Sequence, residues 1–383
     1  MKLAESLAVL RDKVNQISSL KEDKGHLDHP EDLIFLDGSM GANRALQASI
    51  ATVKNPNTVT IKWDGYPALI FGRGRDGKFR IMDKHMFNKK DGTGRQVFSP
   101  EQFVQYDQAR QVNRSGLYEV IATIWPGLEK ASRGGKGFYW GDLLFAQPLT
   151  EQNGLYVFKA NPNGITYKVD VNSEIGQLLG GKVAGIAVHQ YLDPGAATTD
   201  EATTLNGNIG TLKNNSDVAI VPSKMPNTPK LKLDAASVKS VQNAIKKYGP
   251  AVDQMMSTAP QARNTFNQLF TVYINKKIVA GDLQNLANGF LPFVESRPMT
   301  DKMKQKILEH LQQNEAGIIG AFTIWAEMYK LKMSVVAQLN KAAESSPVKG
   351  QLDDGTETHE GFVANGLKFV DRMGFSRQNL AGR

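Results

Sequence analysis

The segments VTIKWDG (59–65), YPALIFGR (66–73) and GFYWGDLLF (137–145) decide the fold class of this chain. Each is short, rich in β-branched or aromatic residues, and bounded by Gly, Asn, Pro or Asp, which is typical of strands. Five further segments share these properties: KFRIMD (78–83), GLYVFKAN (154–161), ITYKVDV (165–171), KVAGIAVHQYL (182–192) and DVAIVP (217–222). Eight such segments with scattered helices predict a large, mainly antiparallel sheet system, and therefore an α+β fold.

Helical periodicity precedes and follows this β region. Apolar residues recur every three or four positions from Leu3 to Leu20, and a second helix is predicted from about Asn43 to Val53. Residues 235 to about 345 lose strand signals and show helical ones, with Asp234 and Thr300 as the N-caps of two of the helices. The β region is therefore followed by a block of helices.

The chain returns to β structure near its end. The extended runs EGFV (360–363) and LKFVDR (367–372) flank Asn365-Gly366, and Asn-Gly between extended runs is a strong hairpin signal. The helical block is therefore predicted to be an insertion into the β domain. The expected organisation is a helical segment packed on the catalytic domain (1–57), the first part of that domain (58–233), the helical insertion (234–348) and the final part of the domain (349–383).

The composition narrows the function classes. The 383 residues contain no cysteine, which excludes disulfides, thiolate nucleophiles and cysteine-based metal sites. No run of about 18 apolar residues predicts a membrane span, and the charged N-terminus does not resemble a signal peptide. A cytoplasmic monomer is the expectation. The formal net charge is +8, and residues 235–350 hold 14 Lys and Arg against 8 Asp and Glu, so most of the positive excess lies in the helical block. That excess is compatible with a nucleic-acid partner, although it also describes a solvated lysine-rich face.

A series of short motifs runs through the β segments in a fixed order. Lys62-Trp63-Asp64-Gly65 ends the first strand, Trp140-Gly141-Asp142 precedes LLF, and Tyr167-Lys168-Val169 lies in an aromatic strand. Glu360-Gly361-Phe362-Val363 and Lys368 come last. In this order they resemble motifs I, III, IIIa, IV and V of the covalent nucleotidyltransferases, which comprise ATP-dependent DNA ligases, RNA ligases and RNA-capping enzymes. The nearest resemblance is to divergent ligase-like enzymes of tailed phages, which would place the protein in the host cytoplasm.

The resemblance implies a nucleotidyltransferase domain that uses ATP and Mg²⁺. It assigns catalytic roles to Lys62, which accepts the nucleotide, and to Lys368. It assigns nucleotide binding to Asp64, Gly65, Lys84, Asp142, Tyr167 and Glu360, and the metal to Asp142 and Glu360.

The sequence departs from the family pattern at several points. Tyr66 and Pro67 follow the first motif, where many ligases carry an arginine, so Arg73 or Lys84 would have to substitute. Only eight residues separate Glu360 from Lys368, and the KxK pair of Lys230 and Lys232 is a rival for motif V. The 15 residues after Lys368 leave no room for a C-terminal OB-fold.

The chemistry explains why these residue types suit the reaction. A lysine must be neutral to attack a phosphoryl group, yet its ordinary pKa is about 10.4. Burial and nearby cations lower that pKa. Asp142 and Glu360 offer the oxygen ligands that a hard cation takes, and Lys368 would neutralise the α-phosphate.

The expected function is ATP-dependent sealing of 5′-phosphate/3′-hydroxyl nicks through a lysine–AMP intermediate. Nicked duplex DNA is the expected substrate, with RNA tolerated in one strand, and the basic helical block would grip the duplex. Two alternatives stay open: an RNA ligase for RNA repair, and a non-catalytic nucleic-acid-binding protein on a decayed nucleotidyltransferase fold.

Overall fold

A computed structural model describes residues 27–160, 165–225, 230–260, 263–352, 355–358 and 361–376. The helix predicted between Leu3 and Leu20 lies outside these residues. The α-helices are α1 (Leu33–Lys54), α2 (Lys84–Asn88), α3 (Pro100–Ala109), α4 (Ser115–Ala131), α5 (Glu174–Leu179), α6 (Ala235–Ser257), α7 (Arg263–Ala280), α8 (Leu286–Glu295), α9 (Asp301–Gln313) and α10 (Glu315–Ala343). The strands are β1 (Thr60–Ile61), β2 (Ala68–Arg73), β3 (Phe79–Met82), β4 (Gly137–Phe145), β5 (Glu151–Gln152), β6 (Leu155–Lys159), β7 (Thr166–Asp170), β8 (Ala184–Leu192), β9 (Thr203–Thr204), β10 (Val218–Pro222), β11 (Val348–Gln351), β12 (Glu357–Thr358), β13 (Phe362–Ala364) and β14 (Leu367–Phe369).

The strands form three sheets. A six-stranded sheet has the order β10-β8-β4-β2-β3 with β9 paired to β8, and a five-stranded sheet has the order β12-β11-β7-β6-β5. A small sheet has the order β1-β13-β14. The β8–β10 pair is parallel and the other ladders are antiparallel. The α+β class and the mainly antiparallel pairing are confirmed, and each of the eight predicted segments contains a strand.

The predicted C-terminal hairpin is present. Asn365 and Gly366 have φ angles of 49° and 73° and connect β13 to β14. A two-residue hairpin turn needs positive φ at both central positions, and Asn-Gly adopts them at the lowest steric cost. This turn fixes the register that places Lys368 directly across from Val363.

Three hydrophobic cores lie between these elements. One fills the space between α2–α4 and one face of the six-stranded sheet, and a second lies between the six- and five-stranded sheets. The third, which we call the helical core, is formed by α1, α6–α10 and the β13–β14 hairpin. Within the described residues, no helix is long and apolar enough to cross a membrane.

The position of α1 differs from the expected organisation, in which residues 1–57 pack on the catalytic domain. The buried side of α1, including Leu46, packs in the helical core with residues of α6 and α10 such as Val252 and Trp325. Phe362 and Phe369 of the hairpin are buried in the same core. The helical core therefore includes residues from both sides of the expected boundary at residue 234, because α1 and the hairpin complete the apolar interior of the helical block.

Candidate active site

The lysine motif forms the loop between β1 and β2, which we call the lysine loop (residues 62–67). The backbone N–H of Lys62 donates to Gly361 O at 3.0 Å, which extends the contact between β1 and β13. At the other end of the loop, the N–H of Tyr66 donates to Leu143 O at 2.9 Å. The loop is thus held between the small sheet and the six-stranded sheet.

The packed rings of Trp63 and Tyr167 support the lysine loop. Trp63 is 4% exposed and packs on Tyr167 of β7, with ring centroids 4.9 Å apart. The hydroxyl of Tyr167 accepts a hydrogen bond from the N–H of Asp64 at 2.6 Å. Burial raises the pKa of this phenol above its ordinary value, so it stays a neutral hydroxyl. Tyr167, expected to bind nucleotide, therefore also positions the lysine loop.

Gly65 allows the loop to approach β4 closely. A Cβ at this position would lie 2.5 Å from Leu143 O and 2.9 Å from the Cβ of Asp142. Real side chains do not tolerate such distances against backbone, so only glycine brings the loop this close to Asp142. The close approach brings Asp142 within electrostatic range of Lys62. We call the surroundings of these two side chains the lysine pocket.

Lys62 lies among charged groups from three separate parts of the chain. Burial lowers its pKa from the ordinary value, and the positive charge of Lys368 lowers it further. The carboxylates of Asp64 and Asp142 act in the opposite direction. The side chain is therefore brought closer to the neutral amine than an exposed lysine, while two carboxylates stay within electrostatic range.

The register of the small sheet explains why Lys368 reaches this pocket. Thr60 pairs with Val363, and Val363 pairs with Lys368, so the three side chains form one row on one face. Lys62 follows Thr60 by two residues. Burial lowers the pKa of Lys368, Asp28 raises it and Arg372 lowers it. The Lys368 N–H also donates to Asp28 O at 2.9 Å.

Asp142 has aromatic and cationic neighbours on both sides. Its Oδ2 lies 3.5 Å from Nε2 of His189 on β8. The ring of Trp140 lies 6.2 Å from that of His189, and Nζ of Lys84 lies 5.8 Å from the Trp140 ring centroid. Lys84 therefore lies over the ring of Trp140, which comes two residues before Asp142 on β4.

Other candidates lie elsewhere. Arg73 pairs with Gly137 at the far end of β2, five residues from the pair of Ala68 with Asp142, and it binds Glu129 O and Gly77 O. At about 3.4 Å per residue, it is too far to replace the missing arginine of the lysine loop.

The rival lysines of the KxK pair are exposed. Gln338 of α10 holds the backbone of Lys232. The N–H of Lys232 donates to Oε1 of Gln338 at 2.8 Å, and Nε2 of Gln338 donates to the carbonyl oxygen of Lys232 at 2.8 Å. Lys368, by contrast, acts on the charge of Lys62. The geometry favours Lys368 over Lys230 and Lys232 as the partner of Lys62.

Only part of the expected metal site lies within the described residues. Glu360 lies outside the described residues, and among those that are described no group of three or more His, Asp or Glu side chains could hold a metal ion. Asp142 is half-buried and faces the pocket of Lys62. Mg²⁺ in nucleotide sites is held by one or two carboxylates with water and phosphate oxygens, so Asp142 fits this use.

A group of buried charged residues adjoins Lys368, and the sequence did not predict it. Glu31 binds Nζ of Lys332 at 2.6 Å with both side chains fully buried, and Asp32 binds the guanidinium of Arg372 at 2.8 Å. We call these four residues the buried ion cluster. Trp325 Nε1 donates to Asp32 Oδ1 at 2.8 Å, and Arg372 also binds Asn275 Oδ1 at 2.7 Å.

The cluster continues directly into the site. Asp28 forms a parallel bridge with Leu367, so the segments 28–32 and 368–372 run side by side from Lys368 to Arg372. The signal in the sequence was Pro30-Glu31-Asp32 in a stretch without apolar periodicity. Its partners are about 300 residues away, which no local pattern reveals.

Comparison with known proteins assigns a family without an activity. Residues 24–383 match the family model described as "Family of unknown function (DUF6267)". No curated protein matches the chain, and no solved structure matches it.

Proposed function

The chain belongs to the DUF6267 family, and we propose that it is an ATP-dependent polynucleotide ligase that carries AMP on Lys62. The observation that supports this most is the surroundings of Lys62. Burial and Lys368 lower its pKa, while Asp64 and Asp142 flank it. A lysine of lowered pKa in a pocket with a second lysine and carboxylates suits nucleophilic attack on a nucleotide phosphate.

The proposed first step is transfer of AMP. The neutral Nζ of Lys62 attacks the α-phosphorus of ATP, the N–P bond forms, and the bond to the bridging oxygen breaks. Pyrophosphate leaves with that electron pair, and the proton of Nζ passes to solvent. Lys368 would balance the charge that develops on the α-phosphate.

The later steps move AMP to the nick. A 5′-phosphate oxygen of the nucleic acid attacks the phosphorus of lysine–AMP and releases Lys62. The neighbouring 3′-hydroxyl then attacks the 5′-phosphorus and displaces AMP, which seals the strand. Mg²⁺ bound with the triphosphate would shield its charge and orient it for in-line attack, with Asp142 as a protein ligand.

Duplex DNA with a nick is the proposed substrate. The helical block holds most of the positive excess of the chain, and Lys302 and Lys306 are exposed on successive turns of α9. Cations on a helix contact phosphates without regard to sequence. RNA in one strand or both is tested in the same assay, because the lysine–AMP step is common to DNA and RNA ligases.

The proposal is tested by incubation with α-³²P-ATP and Mg²⁺ followed by a denaturing gel. The protein is first treated with pyrophosphate, which removes AMP already bound to the lysine. We expect a labelled band for the wild type and for Lys330→Ala, an exposed lysine of α10 that pairs with Glu327. The band should be lost in Lys62→Ala and in Lys62→Arg, because a guanidinium cannot replace the neutral amine.

The other outcomes are informative. A labelled band with α-³²P-GTP alone would indicate a capping-type enzyme. No band in the wild type would contradict the ligase and favour the non-catalytic alternative, for which salt-sensitive binding to DNA is the expected property. Nicked substrates with DNA or RNA strands then separate a DNA ligase from an RNA repair ligase.

A further inference from the structure

A groove of about 920 Å³ opens beside the lysine loop. Tyr66 and Pro67 form one wall, and the end of β4 with the following turn (143–150) forms the floor. Residues 113–117 at the start of α4 and residues 157–160 of β6 and its end complete the lining. The groove is therefore lined by Tyr66, four residues after Lys62, and by Leu143, one residue after Asp142.

Tyr66 is unusually exposed for an aromatic residue. It is 66% exposed, and the other exposed large hydrophobic side chains of the described residues are the aliphatic Met40, Val272 and Ile319. The adjacent Trp63 is buried, so the lysine loop places one ring in a core and the other in solvent. An exposed ring at the mouth of a groove with a mixed apolar and polar lining is suited to stacking on a nucleobase, because every base has a flat π-face.

The charged lining of the groove is cationic. Arg114 and Lys159 line it, and no carboxylate side chain does. Arg114 is fixed by Asp83 at 2.9 Å and Asp107 at 2.7 Å, which offset its charge. Lys159 is exposed at the end of β6, and it adds a second cation to the lining.

Further lysines continue from Lys159 across the five-stranded sheet. Val157, which lines the groove, pairs with Lys168 of β7, and Lys168 pairs with Lys349 of β11. Paired residues of adjacent strands share a face about 5 Å apart. Asp170 and Glu357 lie at the margins of the same face, so its centre is basic. This row can follow a phosphodiester backbone.

From these features we infer that the groove binds a single nucleic-acid strand, with Tyr66 stacked on a base and Lys159, Lys168 and Lys349 along its phosphates. The inference rests on the proposed function, in which a strand bound in this groove would have its end beside Lys62. It identifies where the substrate strand lies, separately from the helical block. A polyanion fits the lining better than an uncharged ligand, since the charged side chains that face the groove are all cations.

The test measures the binding of a short, fluorescein-labelled, 5′-phosphorylated DNA strand by anisotropy, without nucleotide, over a range of salt concentrations. Tyr66→Ala should weaken binding roughly five- to a hundredfold, the range measured for one stacked base. Tyr66→Phe should keep most of the affinity. Ile319→Ala, at an exposed apolar side chain of α10, should have no effect.

The lysines are tested by the salt dependence. Lys159→Gln should lower the slope of log affinity against log salt by about one phosphate contact, which is about 0.7 for a single strand. Lys54→Gln, at the exposed end of α1, should leave the slope unchanged. Thermal unfolding of each variant checks that the fold is intact.

The results separate this inference from the proposed function. If Tyr66→Ala and Lys159→Gln bind the strand like the wild type, the groove is not its site, whether or not Lys62 forms an adduct. If both variants lose affinity while no lysine–AMP forms, the groove is confirmed as a strand-binding site and the ligase activity is contradicted.

Discussion

The hydroxyl of Tyr167 and the backbone nitrogen of Asp64 lie 2.6 Å apart, although 103 residues separate them in the sequence. This hydrogen bond joins the lysine loop to the middle strand of the five-stranded sheet. The same ring packs on Trp63. The strand β7 therefore determines both the position and the orientation of the lysine loop. The lysine loop, and Lys62 with it, is thus positioned by a sheet to which it does not itself belong.

Tyr167→Phe tests this support. The substitution keeps the ring that packs on Trp63 and removes the acceptor for the Asp64 N–H, which costs about 1–3 kcal/mol when the donor is left unsatisfied. We expect a small loss of stability and a fall in the rate of lysine–AMP formation of about tenfold. Tyr156→Phe on β6 is the matched control and should change neither. An unchanged adenylation rate in Tyr167→Phe would show that the bond does not position Lys62.

The pH dependence of lysine–AMP formation should depend on Lys368. The rate follows the neutral fraction of Lys62, so it rises with pH until the pKa of that residue is passed. Lys368 lowers this pKa, and Lys368→Met should therefore raise it and move the rising limb to higher pH. Asp142→Asn should move the limb to lower pH, because Asp142 raises the pKa. Single-turnover rates measured across alkaline pH check both signs.

A loss of activity in Lys368→Met without a shift of the profile would contradict this electrostatic coupling. It would leave Lys368 with a role in binding the phosphate alone. The two variants are informative together. Misfolding would lower both rates, but it would not move the two rising limbs in opposite directions.

The buried ion cluster should show strong coupling in a double-mutant cycle. Lys332→Met leaves Glu31 buried with only the 3.3 Å contact to Arg372, and breaking a buried pair costs about 3–5 kcal/mol. Adding Glu31→Gln removes the uncompensated charge and should restore much of the unfolding free energy. Urea unfolding of the four proteins measures the coupling, with Lys330→Met as the exposed control. Additive losses would show that the two side chains do not depend on each other.

His29 should make the protein sensitive to mild acid. Burial lowers its pKa well below the ordinary value, and Arg372, Lys332 and Lys368 lower it further. Below about pH 6.5, His29 is protonated in the unfolded chain but stays neutral in the folded one. The unfolding free energy therefore falls as pH decreases. His29→Gln should flatten this dependence, whereas His85→Gln at an exposed position should not. Equal slopes for the wild type and His29→Gln would contradict the assignment.

Most strands were predictable from the sequence because their patterns are local. The short strands β5, β9, β11 and β12 were not predicted. β1 is shorter than its pattern, which extends to residue 65, whereas the strand ends at Ile61. From Lys62 onward the backbone leaves the ladder to form the lysine loop, and the apolar Trp63 that suggested a strand is buried between two sheets instead. The helix α4 was not predicted, since Pro126 lies within it and reads as a helix breaker.

The site was predictable where its residues lie in sequence motifs and hidden where they depend on pairing. Lys62, Asp64 and Asp142 were identified from their motifs. The proximity of Lys368 needed the register of β1, β13 and β14, and the buried ion cluster needed contacts between the two ends of the described chain. Acidic residues are rarely buried, so nothing local in the sequence indicates that Glu31 and Asp32 are buried.

The shared helical core has a consequence for how this protein can vary. The strand β1, which leads directly into Lys62, pairs with β13 on one side, and on the other side the Ile61 N–H donates to Ser223 O just after β10. Since β13 is buried against the helices, a gene that lost residues 235–343 would encode a chain in which that strand has one neighbour without support. The helical block is therefore not an exchangeable module. Descendants of this protein can alter its outer surface, but they must inherit the helical block and Lys62 together.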